Sequence, residues 1–342
     1  MARTPLPQKL HEFPWSAEWS GRRLKDVLRE ALPMLSSRDA VMVVANGLVR
    51  LGDETATDLD QMLIAQVPMT IDLRHGVRGE QAPKKPRLID QFRVLHEDRD
   101  IVVVAKAAGV VVNPDEETER RGGGPPLVEL LKHYWKAKKE KVDNPVLIHR
   151  LDKETSGLMV LARTMDAARI LQKHAAGRRM ERQYLAVVYG VVEEDKGTWR
   201  SWIGQGEDGY RQNLAATAEE APKGAQEAVT HFRVRERLAR ATVLELRLET
   251  GRTHQIRIHC AEAGHPVLGD YVYGALAKKR RPALVAALKD FRVPRMMLHA
   301  ARLKFEHPAN ENRWLTFRDE APQEISDLIE REKSPIFNTH KR

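Results

Sequence analysis

The sequence has a single cysteine and no long apolar run, and each of these shortages excludes a class of protein. Cys260 is the only cysteine among 342 residues, so no intrachain disulfide can form and a cysteine-based zinc cluster is not expected. A chain of this kind fits a reducing compartment such as the cytosol. No segment approaches the roughly 18 apolar residues that span a bilayer, and residues 1–19 contain no apolar core typical of a signal peptide. We therefore expect a cytoplasmic protein that has no membrane segment.

Positive charge is in excess over the whole chain. Lys and Arg number 57 against 48 Asp and Glu, which gives a formal net charge of +9 and a pI near 9.6. This balance favours partners that carry phosphate, chiefly nucleic acid or an anionic membrane surface. The hydrophobic content of 42% is typical of a globular protein. The length allows one large domain with a small one, or two of medium size.

Residues 1–82 have the pattern of a lead-in followed by a small α/β module. Ser36 or Ser37 is a candidate cap for a second helix, Asn46-Gly47 marks a tight turn, and residues 70–74 alternate like a strand. Two short helices, this turn and strands resemble the small RNA-binding module first described in a ribosomal protein of the small subunit. Before that cap, helical spacing places five apolar residues on one face, namely Leu24, Val27, Leu28, Ala31 and Leu32.

Residues 83–325 are predicted to form a second, larger domain, and residues 326–342 a C-terminal tail. A segment with two prolines and two lysines, residues 81–87, is a candidate linker between the domains. The polar segment 204–226 is expected to be a mobile loop or an extension of a hairpin. Apolar patterning predicts a strand at 101–104, a helix at 127–135, and antiparallel strands at 229–234 and 242–248.

One polar loop stands out in the larger domain. Residues 149–157 read His-Arg-Leu-Asp-Lys-Glu-Thr-Ser-Gly and lead into the apolar run Leu158-Met159-Val160-Leu161. A glycine turn followed by a buried strand is the type of scaffold on which catalytic side chains are found. Asp152 is the only carboxylate of the loop that has a basic residue on each side, Arg150 and Lys153. From these residues alone, Asp152 is either a turn-former or a functional carboxylate.

Two other stretches carry candidate functional groups. Residues 251–259 read Gly-Arg-Thr-His-Gln-Ile-Arg-Ile-His, and Thr253 is predicted to cap a helix that ends at Gly264. His254 and Arg257 are three residues apart and are expected to share one face of that helix. Tyr184 lies in an apolar strand over residues 182–188, where a tyrosine is either a core residue or a functional one.

These stretches together resemble the RluA-type pseudouridine synthases. Residues 149–152 with 155–158 are similar to the first motif of that family, residues 251–259 to a second, and Leu298-His299-Ala300 to a further one. The resemblance implies that Asp152 is the essential catalytic carboxylate, that Arg257 is its ion partner, and that Tyr184 is a catalytic aromatic residue that lies against the target base and can serve in proton transfer. It also implies a set of residues that bind RNA or shape the substrate pocket: His149, Arg150, Thr155, Arg252, His254, Gln255 and Leu298.

The resemblance further implies an α+β fold. The catalytic domain would have a mixed, largely antiparallel sheet with its active site in a basic cleft, and the small α/β RNA-binding module would precede it. The reaction cuts the N1–C1′ bond of uridine, turns the base and joins C5 to C1′. Because nothing is oxidised and no group is lost, neither a cofactor nor a metal is expected. The carboxylate would attack C1′, as in retaining glycosidases, add to C6 of the ring, or deprotonate the ribose, and the sequence does not separate these routes.

The expected substrate is structured RNA, acted on by a monomer. Large-subunit ribosomal RNA is preferred because the N-terminal module commonly accompanies that specificity, and transfer RNA is the alternative within the family. A rival from another class is a non-catalytic RNA-binding protein of ribosome assembly on the same scaffold. A glycoside hydrolase built on Asp152 lacks a suitably spaced second carboxylate. A zinc hydrolase would need His254, His259 and His265, whose spacing fits no common zinc pattern.

Overall fold

The computed structural model of the chain divides into two compact units, Met1–Lys85 and Pro86–Arg342. It describes residues 9–45, 47–52, 54–56, 59, 63, 67–74, 91–113, 125–140, 144–177, 179–206, 211–270, 272–274 and 293–333. The candidate linker at 81–87 lies outside this set. Within it, no helix is long and apolar enough to cross a membrane.

The smaller unit consists of a four-stranded antiparallel sheet and two short helices. Helix α1 spans Leu24–Ala31 and α2 spans Ser37–Ala45, and the predicted strand is present as β4, Met69–Asp72. Ser36 caps α2, because its Oγ accepts from the backbone N–H of Asp39 at 3.1 Å while its own N–H donates to the Asp39 carboxylate at 3.0 Å. The sheet order is β1-β4-β2-β3, with β1 at Leu10–Phe13, β2 at Val49–Leu51, β3 at Glu54–Thr55 and β4 at Met69–Asp72.

The larger unit is built on one extended, mostly antiparallel sheet, which confirms the predicted α+β fold class. The strands are β5 Phe92–Glu97, β6 Ile101–Lys106, β7 Val146–Leu147, β8 Ser156–Ala162, β9 Met180–Tyr189, β10 Lys196–Gln205, β11 Arg211–Ala215, β12 Gln226–Arg237, β13 Ala241–Leu248, β14 Leu298–Glu306 and β15 Trp314–Arg318. The path through the sheet is β11-β10-β12-β13-β9-β14-β8-β6-β5, with β15 beside β14 and β7 beside β8. Among the described strands, only β8 and β14 pair in parallel.

The helices of this unit include α3 Leu127–Ala137, α4 Met165–Ala176, α5 Gln255–Glu262 and α6 Gln323–Lys333. Helix α6 crosses the predicted boundary between the domain and the tail at residue 325. Its Leu328 is 3% exposed and packs into the main core, so ordered packing continues beyond that boundary. The polar segment 204–226 contains β11, which pairs with β10; the hairpin alternative is therefore the one observed.

The middle of the sheet is buried and carries the polar loop. All seven residues of β8 are buried, which is why this strand is a continuous apolar run and not an alternating one. Gly157 has φ +112°, and a Cβ at this position would collide with the backbone of Ala300 on β14. Only glycine permits this conformation and this approach, so the loop before β8 is held against the centre of the sheet.

Candidate active site

Asp152 lies on the loop between β7 and β8, and the buried members of the loop fix its position. The backbone N–H of Thr155 donates to the carbonyl oxygen of Asp152 at 3.0 Å and closes a turn. Thr155 and Leu151 are buried. The Asp152 side chain remains 18% exposed, and Arg150 is exposed. The loop therefore presents its charged residues while Thr155 and Leu151 anchor it.

His149 anchors the beginning of the same loop. Its Nε2 accepts a hydrogen bond from the backbone N–H of Val160 on β8 at 3.3 Å. Burial, assisted by the charge of Arg182, lowers the pKa of His149 to about 3. The ring is consequently neutral near pH 7, so it holds the loop without offering a charge to a phosphate. A direct RNA contact by His149 stays a prediction.

Lys106, at the end of β6, stabilises the loop through hydrogen bonds from its side-chain amine. Its Nζ donates to the carbonyl oxygens of Ala107 and Val110 at 2.9 Å each, and to that of Lys153 at 3.1 Å. The side chain is among the largest that are fully buried. Burial lowers the pKa of Lys106 to about 7, against the opposing charges of Glu154 and Asp152. The hydrogen bond from Lys106 to the Lys153 carbonyl oxygen therefore fixes the backbone directly after Asp152.

Arg257, on α5, lies between two carboxylates. Its Nη1 donates to Asp152 Oδ2 at 3.1 Å, while Nε and Nη2 donate to Asp270 Oδ2 and Oδ1 at 2.6 and 2.9 Å. Asp270 is buried and its Oδ1 also accepts from the backbone N–H of Tyr273 at 3.1 Å. Two nitrogens of the planar guanidinium donate to the two oxygens of the Asp270 carboxylate, and this bidentate pairing fixes its orientation. Asp270 therefore aims the remaining nitrogen of Arg257 at Asp152.

The charges around Asp152 keep its carboxyl group ionised. Burial opposes ionisation, but Arg257 and, when protonated, His254 outweigh it and hold the pKa of Asp152 below its usual value. For Arg257, burial opposes the charged form, whereas Asp270 and Asp152 raise its pKa above the ordinary value. The site is thus an ion triad in which one carboxylate is partly exposed and the other is buried.

His254 is the N-cap of α5, so the prediction that Thr253 caps this helix is wrong. The backbone of His254 is left-handed, with φ 61° and ψ 15°, and its side chain does not cap the helix. Its Nε2 lies 3.8 Å from Asp152 Oδ1, and its Nδ1 lies 2.8 Å from the hydroxyl of Tyr273. The helix does end before Gly264, as predicted. His254 and Arg257 approach Asp152 together.

Tyr184 lies on β9, opposite Leu246 of β13. It packs in the main core with Leu151 of the loop and is 6% exposed. Burial raises the pKa of Tyr184 to about 12, and the charge of Asp152 acts in the same direction against that of Arg182. The phenol therefore stays protonated near pH 7. An uncharged aromatic ring close to Asp152 is suited to packing against a base.

Three other predicted residues have structural contacts. Gln255 is buried: its Oε1 accepts from the Arg252 backbone N–H at 3.0 Å and its Nε2 donates to Val229 O at 3.0 Å. Arg252 is half-buried, and its Nε donates to the carbonyl oxygen of Glu227 at 2.9 Å. Leu298 is buried in the same core cluster as Tyr184. Gln255 and Leu298 are thus buried and support the site through packing and hydrogen bonds.

Several residues of the site escaped sequence reasoning. The sequence assigns no role to Asp270, Tyr273 or Lys106, although each is a polar group next to an apolar segment. The available signal was that a polar side chain so close to buried strand residues requires a partner. Lys106 ends the buried run 101–105, and Asp270 follows Val267 and Leu268 closely.

The three histidines of the zinc alternative are engaged elsewhere. His259 forms hydrogen bonds with the hydroxyls of Ser201 and Thr230, and His265 contacts the carbonyl oxygen of Tyr189.

In the described part of the chain, the one group with metal-ligand spacing is Asp98, Asp100 and His307. There the Asp98 carboxylate already accepts from His307, His96 and two backbone N–H groups.

Comparison with known proteins identifies the class of enzyme. Residues 100–262 match the family model described as RNA pseudouridylate synthase, a span that contains Asp152, Tyr184 and Arg257. A "Ribosomal large subunit pseudouridine synthase D" from Xylella fastidiosa is 36% identical over 93% of this chain and 92% of its own length. The protein of that name from Xanthomonas campestris pv. campestris is 35% identical over 90% of this chain and 88% of its own.

A solved structure gives the same result. "Human RNA Pseudouridylate Synthase Domain Containing 4" is 26% identical, covers 70% of this chain and 92% of its own, and superposes with a TM-score of 0.53. The chain therefore belongs to the RNA pseudouridylate synthase family. It is an isomerase that converts uridine to pseudouridine in RNA, which confirms the resemblance found in its motifs.

Proposed function

We propose that the protein isomerises uridine in large-subunit ribosomal RNA and that Asp152 is its catalytic carboxylate. The observation that carries this proposal is the contact between Asp152 and Arg257, held from behind by Asp270. A partly exposed carboxylate kept ionised beside a fixed cation is what an attack on C1′ or C6, or a deprotonation of the ribose, requires. The names of the two bacterial relatives support ribosomal RNA as the substrate.

Arg257 stabilises the ionised form of Asp152 and fixes its orientation. If the carboxylate forms a bond to the sugar, its charge is lost and the guanidinium remains paired with Asp270. The buried site therefore never holds an unpaired cation, which would be costly. Tyr184 would lie against the target base and keep it close to the sugar while the base turns.

Basic residues at the rim would hold the RNA. A uridine in folded RNA is stacked and must leave the stack before it reacts. Arg150 is exposed next to Asp152, and Arg252 is half-buried beside α5; both are proposed to bind the flanking phosphates or bases. Binding that depends on such contacts weakens as salt rises. His149, Thr155, Gln255 and Leu298 would act indirectly by holding the loop and α5.

The unit Met1–Lys85 is proposed to bind RNA as well. Its two short helices on a small sheet support this role by their resemblance to a ribosomal RNA-binding module. A ribosomal RNA substrate supports the expected cytoplasmic location. A monomer is proposed, which is supported by the position of Asp152, Arg257, Asp270 and Tyr184 within one compact unit of the chain.

The test uses RNA that carries tritium at C5 of uridine, since making pseudouridine releases that hydrogen to water. Wild-type protein and Asp152→Asn would be compared on ribosomal RNA and transfer RNA purified separately from cells that lack the gene. Release from ribosomal RNA by the wild type alone, with equal RNA binding by the variant, is the expected result. Release only from transfer RNA would move the substrate to that class. Tight RNA binding without release by either protein would support a non-catalytic assembly factor.

A further inference from the structure

His254 has an unusual backbone conformation at the edge of the site. It is one of three described residues other than glycine with positive φ, at 61°, and its side chain does not use the position to cap α5. Strained conformations of this kind persist where the surrounding structure imposes them, and they cluster at functional sites. The effect of this one is to bring the His254 ring to Asp152, with Nε2 3.8 Å from Oδ1.

The hydrogen bonds of the ring determine its tautomer. The Tyr273 hydroxyl donates its single proton to the carbonyl oxygen of Arg211 at 2.8 Å. Toward His254 Nδ1, also at 2.8 Å, the hydroxyl therefore offers only a lone pair. Nδ1 must then carry a hydrogen, and in the neutral ring the lone pair is on Nε2, the nitrogen on the Asp152 side.

The groups around the ring decide its charge. Burial lowers the pKa of His254 below its usual value; the carboxylates of Asp152 and Asp270 oppose this, and Arg257 and Arg150 reinforce it. Near pH 7 the ring is neutral and Nε2 is a free acceptor. The side chain is still 32% exposed, so a proton taken up by Nε2 has a path to water.

The other polar groups beside Asp152 are poorer bases. Tyr184 is protonated, since burial raises its pKa to about 12. Asp152 itself has a lowered pKa and so holds a proton weakly. Arg257 is a cation paired with Asp270. A neutral imidazole with an available lone pair on Nε2 is the better proton acceptor.

We propose that His254 is a catalytic base that removes the proton from C5 of the base after C5 has joined C1′. This inference rests on the proposed function. In that step the C5–H bond breaks, the proton goes to Nε2 and the electron pair forms the C5=C6 double bond. The negative charge passes to N1, which takes a proton from water, or, in the C6-addition route, to Asp152, which leaves C6. The resulting imidazolium lies between the Asp152 carboxylate and the Tyr273 oxygen and passes the proton to water. All three routes open to Asp152 share this step, so the assignment is independent of the choice between them.

The test compares two RNAs that differ at one atom. Wild type and His254→Asn would each receive the same RNA with uridine or with 5-fluorouridine at the target. Asparagine tolerates left-handed backbone, and its amide can still donate to Tyr273, but it is not a base. Fluorine cannot leave as a proton, so on fluorinated RNA the reaction stops once C5 is joined to C1′. Mass spectrometry of the digested nucleosides measures that joined product, and tritium release measures the complete reaction.

On uridine RNA, we expect His254→Asn to release tritium about 10²- to 10⁴-fold more slowly, the usual contribution of a general base, and to become sensitive to deuterium at C5. On fluorinated RNA, both proteins should form the joined product at equal rates. Equal slowing on both RNAs would overturn the inference and leave His254 as a residue that positions Asp152. Equal rates on uridine RNA would overturn it too. No tritium release by the wild type would instead overturn the proposed function, and this inference with it.

Discussion

Arg257 Nη1 lies 3.1 Å from Asp152 Oδ2, although 105 residues separate the two along the chain. The contact joins the loop before β8 to the first turns of α5, and Asp270 holds the guanidinium in place for it. The carboxylates of Asp152 and Asp270 and the guanidinium of Arg257 thus form a single charged unit where α5 meets the loop before β8. Three predictions test this unit and its supports, and a fourth tests how stability depends on pH.

Replacement of Asp270 by asparagine should weaken the hold on Arg257 and so its contact with Asp152. The buried guanidinium would lose its charged bidentate partner, so we expect a loss of about 3–5 kcal/mol in the free energy of unfolding. Misaligned Arg257 should also slow tritium release by about 10²-fold. Urea unfolding and the release assay measure the two effects. Asp195→Asn is the matched control, because Asp195 pairs with Arg237 while 85% exposed and should change stability by less than about 0.5 kcal/mol. Similar losses in both variants would show that Asp270 has no special role.

Replacement of Lys106 by methionine should loosen the loop. The carbonyl oxygens of Ala107 and Val110 would lose this donor, and that of Lys153 would keep only the backbone N–H of Gly109. Leaving a buried acceptor unsatisfied costs about 1–3 kcal/mol, so we expect a lower unfolding midpoint and a lower kcat with little change in RNA affinity. Lys196→Met, on the exposed end of β10, is the control. A weaker affinity with an unchanged kcat would contradict a role in positioning Asp152.

Replacement of Gly157 by alanine should be poorly tolerated. The φ of +112° disfavours any side chain, and a Cβ would collide with the backbone of Ala300. The backbone term alone costs about 1–2 kcal/mol, and relief of the collision would separate β8 from β14. Gly274→Ala is the control, since a Cβ there meets no atom within 4 Å and its φ is ordinary. Thermal unfolding of the two variants gives the comparison, and equal midpoints would disprove the steric explanation.

Asp98 should make the free energy of unfolding depend on pH in the acidic range. Its carboxylate is partly buried, which opposes ionisation, but hydrogen bonds from His307, His96 and two backbone N–H groups hold its pKa well below the usual value. A carboxyl whose folded pKa is depressed stabilises the protein above its unfolded pKa and loses that contribution as the pH falls through the folded pKa. Asp98→Asn should therefore be less stable than wild type at pH 7, and the gap should shrink below about pH 4. A gap that is constant from pH 7 to pH 3 would contradict this origin.

The elements of the fold were accessible to sequence reasoning where the chain is locally periodic or uniformly apolar. Helix α1, the helix from Leu127 and the strands at 101–106 and 156–162 follow patterns in their own residues. Boundaries were less accessible. Helix α5 begins one residue later than its capping pattern suggests, because His254 adopts a left-handed backbone, a conformation that few residues other than glycine take.

The sequence by itself determined the family and the identity of the catalytic candidates, because these reside in short contiguous motifs. The tertiary structure alone decided which charges meet and which residues are hidden. Asp270 lies in no recognised motif and yet holds Arg257, while Thr155 and Gln255 belong to motifs and are buried in supporting roles. The physical reason is that electrostatic and hydrogen-bond energies depend on distances and burial set by chain crossings, such as the approach of α5 to the loop before β8. Sequence spacing does not encode those distances.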